Sequence, residues 1–433
     1  MNPFGLAARN VFRNGRRTSL NAIAIGVGVA IMFICLGWVQ GYRTYIYRAV
    51  ISYQTGAAQL LRRGYEAQAP RLPLDLTIPG YQALRERILR LPGVLGASGR
   101  IDFAARIASP RGSVRMLGQG IDAPAEAGVT VLSRKIVRGS YLDGSPGILL
   151  GAGMARKLGV APGSVIFVYA TDRYGVVNSV ALVLRGVFSF GYGAMDDSLA
   201  YVDLASAQEL LGLGDEVTRI VLAGPRTQEV EDSARAFAAS LAAPGAAAGT
   251  APGAAAGAAP SPEGKPYPPV EAYGWRQFAQ ATVSGVRADT GSFYVIAVIL
   301  FALIIAGILN SMSMSVHERH RELATLRALG LRQRGVRRLI LYESTWLAAL
   351  GVAGGFLVAA PIAAWLGLKG VDISAYMPRD FPIPFGEIYH ADYRAWHALL
   401  SAALGIGASL AGSLIPARRA ARLPIAQTLG GGL

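Results

Sequence analysis

The chain has 433 residues, of which 52% are hydrophobic and only 16% charged, against roughly 25% charged in ordinary soluble domains. Its formal charge is +15, from 42 Lys and Arg against 27 Asp and Glu, so an anionic partner such as nucleic acid or a lipid surface is expected. A single cysteine excludes a disulfide framework and any multi-cysteine metal cage.

Residues 1–17 are predicted to form an amphipathic helix, with Phe4, Ala7 or Ala8, Val11 and Phe12 on one face and Arg9 and Arg13 on another. Such a helix can lie in the membrane interface before the chain turns into the bilayer. Residues 18–42 are the first apolar window, with no charge between Arg17 and Arg43. The window is too long for the roughly 7–15-residue core of a cleaved signal peptide. Gln40-Gly41-Tyr42 offers no small-x-small cleavage site, and Ile34 stands before Cys35 where a lipoprotein signal needs a small residue. The window is read as a permanent anchor. Within it, Ala22, Gly26 and Ala30 form a small-xxx-small ladder, the pattern of a close helix contact, and are predicted as a transmembrane dimer or cargo face.

Residues 43–289 read as a mixed α/β domain. Arg106–Ala108 and Val114–Leu117 are predicted strands around the turn Ser109-Pro110-Arg111-Gly112, and Pro79–Leu91 a helix stopped by Pro92-Gly93. Val165–Ala170 and Val180–Phe188 form a second hairpin-like pair joined by Thr171, Asp172, Arg173, Tyr174 and Gly175. Leu199–Val202 and Arg219–Leu222 are strand-like, with a helix through Ala207–Leu211 between them. Residues 242–269 are rich in Ala, Gly and Pro, and Ala243–Gly249 recurs unchanged at Ala251–Gly257. That composition cannot build a packed core and reads as a flexible insert.

Three more windows follow, at 290–316, 339–368 and 395–417, separated by loops at 317–338 and 369–394 and followed by a tail at 418–433. Each exceeds the roughly 20 apolar residues that cross about 30 Å of hydrocarbon as a helix. Arginines cluster before the first window, between the second and third, and after the fourth, whereas the loop 369–394 carries more acid than base. The positive-inside rule then places both termini and the loop 317–338 in the cytoplasm and residues 43–289 outside it. The charge belongs to topology, and nucleic acid drops out as a partner; membrane lipids remain.

The chain carries no G-x-x-x-x-G-K-[ST] loop and no H-E-x-x-H. His317 and His320 stand three apart beside arginines without an evident third ligand, so no metal site, no catalytic residue and no cofactor of its own are expected. The informative run is Val316–Gly330, where Leu323, Leu326 and Leu329 recur every third residue behind a charged start and Gly330 suits a helix stop. A short amphipathic helix there can dock into a groove on another protein or hold anionic lipid heads.

That run, with Glu318, Arg319, Arg321, Glu322, Leu323, Leu326, Arg327 and Gly330, resembles the coupling helix of the FtsX-like permease domain shared by MacB-type, FtsX-type and LolC/LolE-type ABC transporter subunits. Pro416-Ala417-Arg418-Arg419-Ala420-Ala421-Arg422-Leu423-Pro424 resembles the closing motif of that family, and Leu6–Asn14 its elbow helix. Gly147–Gly151 with Ala155–Val160, then Gly186-Val187-Phe188, Asp196–Val202 and Ala207–Leu211 resemble its external segments.

The resemblance implies an α-helical membrane protein with four transmembrane helices and a large mixed α/β periplasmic domain inserted between the first and second. It implies a multi-pass subunit of the bacterial inner membrane working by mechanotransmission, paired with a second permease subunit, the same or paralogous. ATP and Mg would be bound by a cytoplasmic ABC ATPase dimer on which the coupling helix rests. Within the family the chain is most similar to LolC/LolE-type subunits, which are free-standing where MacB-type chains usually carry a fused ATPase. That implies lipoprotein or other amphiphilic cargo taken from the outer leaflet and passed to a periplasmic chaperone or adaptor. MacB-like export of drugs, peptides or glycolipids and FtsX-like signalling to a periplasmic hydrolase are the alternatives. Thr171–Ser179 occupies the place of the LolC hook hairpin and lacks its prolines and methionine.

Overall fold

The computed structural model describes residues 3–13, 15–109, 112–191, 193–242, 267–372 and 388–422. Most of the Ala/Gly/Pro insert, most of the loop 369–394 and the end of the C-terminal motif therefore lie outside the described residues.

Helix α1 (Pro3–Arg13) leads into α2 (Gly15–Val50), which a π-helical turn, Ile51–Thr55, continues. There follow β1 (Ala58–Arg62), α3 (Tyr65–Gln68), β2 (Ile78–Pro79), α4 (Tyr81–Ile88), β3 (Gly96–Ser109), β4 (Gly112–Ile121) and α5 (Ala123–Glu126). The chain continues through β5 (Ile136–Gly139), β6 (Ile148–Gly151), α6 (Ala152–Leu158), β7 (Val165–Thr171), β8 (Val177–Phe188) and α7 (Gly193–Ser198). Next come β9 (Leu199–Asp203), α8 (Leu204–Leu211), β10 (Glu216–Val217), β11 (Arg219–Ala223), α9 (Thr227–Ala242) and β12 (Val270–Gly274). Helices α10 (Trp275–Phe278), α11 (Gln280–Glu318), α12 (His320–Ala328), α13 (Gln333–Leu368) and α14 (Ala395–Ala421) complete it.

These elements form two compact units, one built from residues 1–45, 285–372 and 388–422, the other from 46–284. In the first, four helices are long and apolar enough to cross a membrane, and the shortest has 27 residues, about 40 Å of helix. The first and second overrun the predicted spans, because a charge-free window marks hydrocarbon and Arg43, Arg48 and Arg287 continue the helices beyond it. The interior of this unit joins Ile25 and Val29 of α2, Ile308 and Met312 of α11, Leu339, Ile340 and Leu347 of α13, and Ala408 and Ala417 of α14. Ala7 and Val11 of α1 are buried in the same cluster. A hydroxyl bond from Ser409 to the Ser344 carbonyl, 3.0 Å, ties α14 to α13, where apolar surroundings leave few competing partners.

The ladder Ala22, Gly26, Ala30 makes a close contact within the chain. Gly26 lies against Gly351 and Gly355 of α13 in the same chain, so close that a side-chain carbon on Gly26 would stand 2.9 Å from the Gly351 carbonyl oxygen. The Ala22 carbonyl likewise closes on Gly351, and Ala30 is buried. Small residues allow backbones to meet, and here the backbone that Gly26 meets is that of α13 in the same chain, while Ala22 is half-buried.

The second unit is a ten-stranded sheet in the order β12-β1-β11-β3-β4-β9-β6-β8-β5, with β7 paired to β3 and β8, and a separate β10-β2 pair. Pairs β4-β9 and β6-β8 are parallel and the others antiparallel. The hairpin predicted at residues 106–117 is the centre of a longer one, β3–β4, in register from Arg100↔Ile121 to Ser109↔Gly112. Helices α4, α6, α8 and α9 cover one side and contribute Leu84, Met154, Leu210 and Phe237 to the main core.

The π-helical turn meets this sheet through its carbonyls, which a helix end leaves without internal partners. Arg100 donates to the Gln54 carbonyl at 2.7 Å, the Val131 amide to Ser52 at 3.0 Å, and the Gln59 amide to Thr55 at 2.9 Å. Arg100 is itself buried and paired with buried Glu126 at 2.5 Å.

Candidate functional site

The run that resembles a coupling helix folds as α12, which begins at His320 with Arg319 alone between it and the end of α11 at Glu318. Its stop is a Schellman arrangement: the Gly330 amide donates to the Arg327 carbonyl at 3.0 Å and the Leu331 amide to the Leu326 carbonyl at 3.1 Å. Gly330 has a φ of 99°, a backbone conformation that a side chain would strain, which is why glycine stands there.

The three leucines of the run separate. Leu323 and Ala324 are buried among the first unit's apolar residues, Leu326 is half-buried, and Leu329 is 80% exposed. The every-third-residue spacing rotates around the helix, so only its first member reaches the core and its last points away. Arg321 is exposed, as are Leu331, Arg332, Arg334, Arg337 and Arg338 beyond the helix stop. Together these residues present cations around two exposed leucines. Glu318 is exposed and Arg327 half-buried.

Arg319 and Glu322 are placed otherwise. The Arg319 guanidinium donates through Nε to Glu322 at 3.0 Å and through Nη1 to both Glu343 oxygens at 3.0 and 3.3 Å. Asn10 of α1 donates to the same Glu343 at 2.7 Å, and Arg13 of α1 donates to Glu322 at 2.9 and 3.2 Å. The Arg319 guanidinium, with Arg13 adding to it, holds the Glu322 carboxyl below the usual carboxylate range. Phe4 of α1 packs against Trp346 with its ring tilted by 40° and meets Tyr342 edge-on, with ring centroids 5.2 and 5.6 Å apart. Helix α1 is thus bound to α12 and α13 by charge and by rings. Of these partners, Asn10 and Glu343 were not singled out from the sequence, although the one acid of a long, largely apolar helix is a signal worth following.

His317 and His320 stack with centroids 5.7 Å apart, and the His320 ring nitrogen lies 2.6 Å from the His317 carbonyl oxygen. Among the described residues no group of three or more His, Cys, Asp or Glu is placed to hold a metal.

In the second unit, the predicted partner hairpin is the tip between β7 and β8. Asp172 accepts from the Tyr174 and Val176 amides at 2.8 and 2.9 Å, which shapes the turn. Arg173 folds back onto the domain, donating to Glu216 at 3.1 and 2.7 Å and to the Leu74 carbonyl and Thr77 hydroxyl at 3.3 Å. Thr171 and Gly175 are exposed, and Tyr174, 77% exposed, stands with Val176 and Val177 as the outward part of the tip.

Comparison with known proteins places both units. The family described as FtsX-like permease C-terminal matches residues 294–425, and the MacB-like periplasmic core domain matches residues 18–240. The chain is 23% identical to the lipoprotein-releasing system transmembrane protein LolC of Neisseria meningitidis serogroup B, over 95% of this chain and 93% of that protein. It is 21% identical to the corresponding LolE of Haemophilus influenzae, over 94% of this chain and 93% of the relative. The crystal structure of the periplasmic region of MacB from Actinobacillus actinomycetemcomitans aligns at a TM-score of 0.35 and 11% identity, over 52% of this chain and 91% of that one, a likeness too slight to argue from. With more than half its length matched by the one domain and its last three long helices by the other, the chain belongs to the FtsX-like permeases that carry a MacB-like periplasmic core domain.

Proposed function

We propose that the chain is the permease subunit of an ATP-driven mechanotransmission ABC transporter of the inner membrane, with its sheet domain in the periplasm. It takes lipoproteins or similar amphiphilic cargo from the outer leaflet and delivers them to a periplasmic acceptor. The observation that carries this reading is the braced helix α12 beside exposed arginines and leucines, on a chain similar to LolC from end to end. A short helix held on its inner side and charged on its outer side can receive a load without being displaced from the bundle. The arginines that flank it agree with a cytoplasmic position.

In this reading a separate ATPase dimer, holding ATP and Mg, docks on Arg321, Leu329 and the cations that follow. A second permease subunit, alike or paralogous, completes the pair. Closure of the ATPases moves the helices that lead into the sheet domain, and the β7–β8 tip is the candidate contact for the acceptor.

The test is reconstitution with the cognate ATPase in proteoliposomes carrying a labelled lipoprotein. ATP-dependent release to a soluble acceptor is the expected result. Hydrolysis without release of the lipoprotein would remove this cargo class and return the choice to adaptor-linked export or to signalling.

A further inference from the structure

The sequence puts Arg319 among the residues a partner would touch, and the structure turns it inward. Its side chain is 14% exposed and that of Glu343 10%. Arg319 is the residue that joins the end of α11 to the start of α12, and its backbone carbonyl accepts the Leu323 amide at 3.0 Å. From that junction its side chain reaches across to α13, where Glu343 is the one acidic residue of the helix. Met312, Leu323, Leu339 and Ile340 line the surrounding cleft, so the pair sits in largely apolar company where water competes less than at the surface.

The bonding runs as a closed circuit. Arg13 meets Glu322, Glu322 meets Arg319, Arg319 meets Glu343, and Glu343 accepts from Asn10, which returns to α1. Charges alternate along it. The Arg13–Glu322 bond is exposed and weak, since water and salt compete for both groups. The Arg319–Glu343 bond is the buried one, where loss of either partner leaves an uncompensated charge.

We propose that Arg319 and Glu343 are positioning residues: their ion pair, steadied by Asn10, is the fixed joint through which a load on α12 reaches α13. This inference rests on the reading of α12 as the helix that an ATPase engages. It assigns docking to the exposed Arg321 and Leu329 and removes Arg319 from that role. A joint of this kind sets the angle of α12 without touching the partner, so its loss uncouples without unbinding.

The experiment uses the full chain in nanodiscs, with and without its cognate ATPase. Spin labels on Thr325→Cys and Gln333→Cys, in a Cys35→Ser background, report the α12–α13 distance distribution. Expected for Glu343→Gln is a broadened distribution, ATPase affinity within about twofold of the parent, and ATPase stimulation reduced by about tenfold, the scale of ordinary coupling between sites. Because an unpaired Arg319 can prevent folding, Arg319→Leu/Glu343→Leu is the second variant; a buried pair replaced by apolar residues is commonly tolerated. It is expected to insert normally and still show the broadened distance and the lost stimulation. A distance distribution unchanged in both variants, or full stimulation by the double variant, overturns the joint. A distance broadened in both variants, in a chain whose parent never binds or stimulates the ATPase, keeps the joint and overturns the docking reading.

Discussion

Gly26 of α2 and Gly355 of α13 touch backbone to backbone: a side-chain carbon on Gly355 would stand 2.5 Å from the Gly26 carbonyl oxygen. Gly354, one residue earlier, has nothing within 4 Å of the same position. Replacing Gly355 with Leu is therefore expected to force the two helices apart at a cost of about 1–3 kcal/mol. Gly354→Leu should stay within about 0.5 kcal/mol of the parent. Apparent unfolding temperatures of the two variants in detergent decide it, and equal values would mean that the contact is not tight.

Burial alone pushes the Glu126 carboxyl up, but the Arg100 guanidinium and the hydroxyls of Ser98 and Thr130 outweigh it and leave the group below the ordinary carboxylate range. A carboxyl depressed in the folded state stabilises fully above its unfolded value of about 4.3 and loses that contribution as pH falls through the folded value. Glu126→Gln, which strands the buried Arg100, is expected to cost about 3–5 kcal/mol at neutral pH. The gap between parent and variant should narrow as pH falls below the unfolded value of about 4.3 and close only once the folded carboxyl is itself protonated. Chemical unfolding followed by near-ultraviolet circular dichroism across the acid range checks the sign, and a gap that widened as pH fell would contradict it.

Loss of Glu216 removes the carboxylate that holds Arg173 down. Glu216→Ala is expected to cost about 1 kcal/mol, the worth of a half-exposed pair, and to speed amide exchange over residues 172–176. Tyr174→Ala should leave exchange there slow while weakening photo-crosslinking of the tip to a periplasmic acceptor. Unaltered crosslinking would take the tip out of the contact surface.

At α12 the leucines should divide by their exposure. Leu323→Asp puts a charge into the core and is expected to abolish stable insertion of the chain. Leu329→Asp alters an exposed position, so the fold should persist while affinity for the ATPase falls by about tenfold or more. Glu322→Lys, which sets a cation against Arg13 and Arg319, should lower ATPase stimulation with membrane insertion intact. Pull-down and stimulated hydrolysis on the same preparations separate these outcomes.

What the sequence revealed followed from how strong each local pattern is. The four long helices were legible because long uncharged runs have few alternatives to crossing a bilayer. Strand β7, whose faces alternate exposed and buried, and the β3–β4 hairpin with its turn were legible for similar reasons. Strands β1 and β6 lie inside the sheet, nearly wholly buried, and so lack the alternation that marks a strand. The small-residue ladder announced a close contact and could not name its partner. Arg319 and Glu343 are 24 positions apart in sequence, beyond any helical spacing, and only the packed helices bring them together.

The first and last strands of the sheet domain, β1 and β12, are antiparallel neighbours, with Ala58 opposite Gly274 and Leu61 opposite Glu271. The two chain crossings of this domain are therefore about 5 Å apart at their closest paired residues. A domain whose entrance and exit share one doorway is a cassette: its interior can be rebuilt, enlarged or exchanged while the flanking segments keep their spacing. Such a layout lets a lineage of permeases change what the sheet domain recognises without rethreading the long helices.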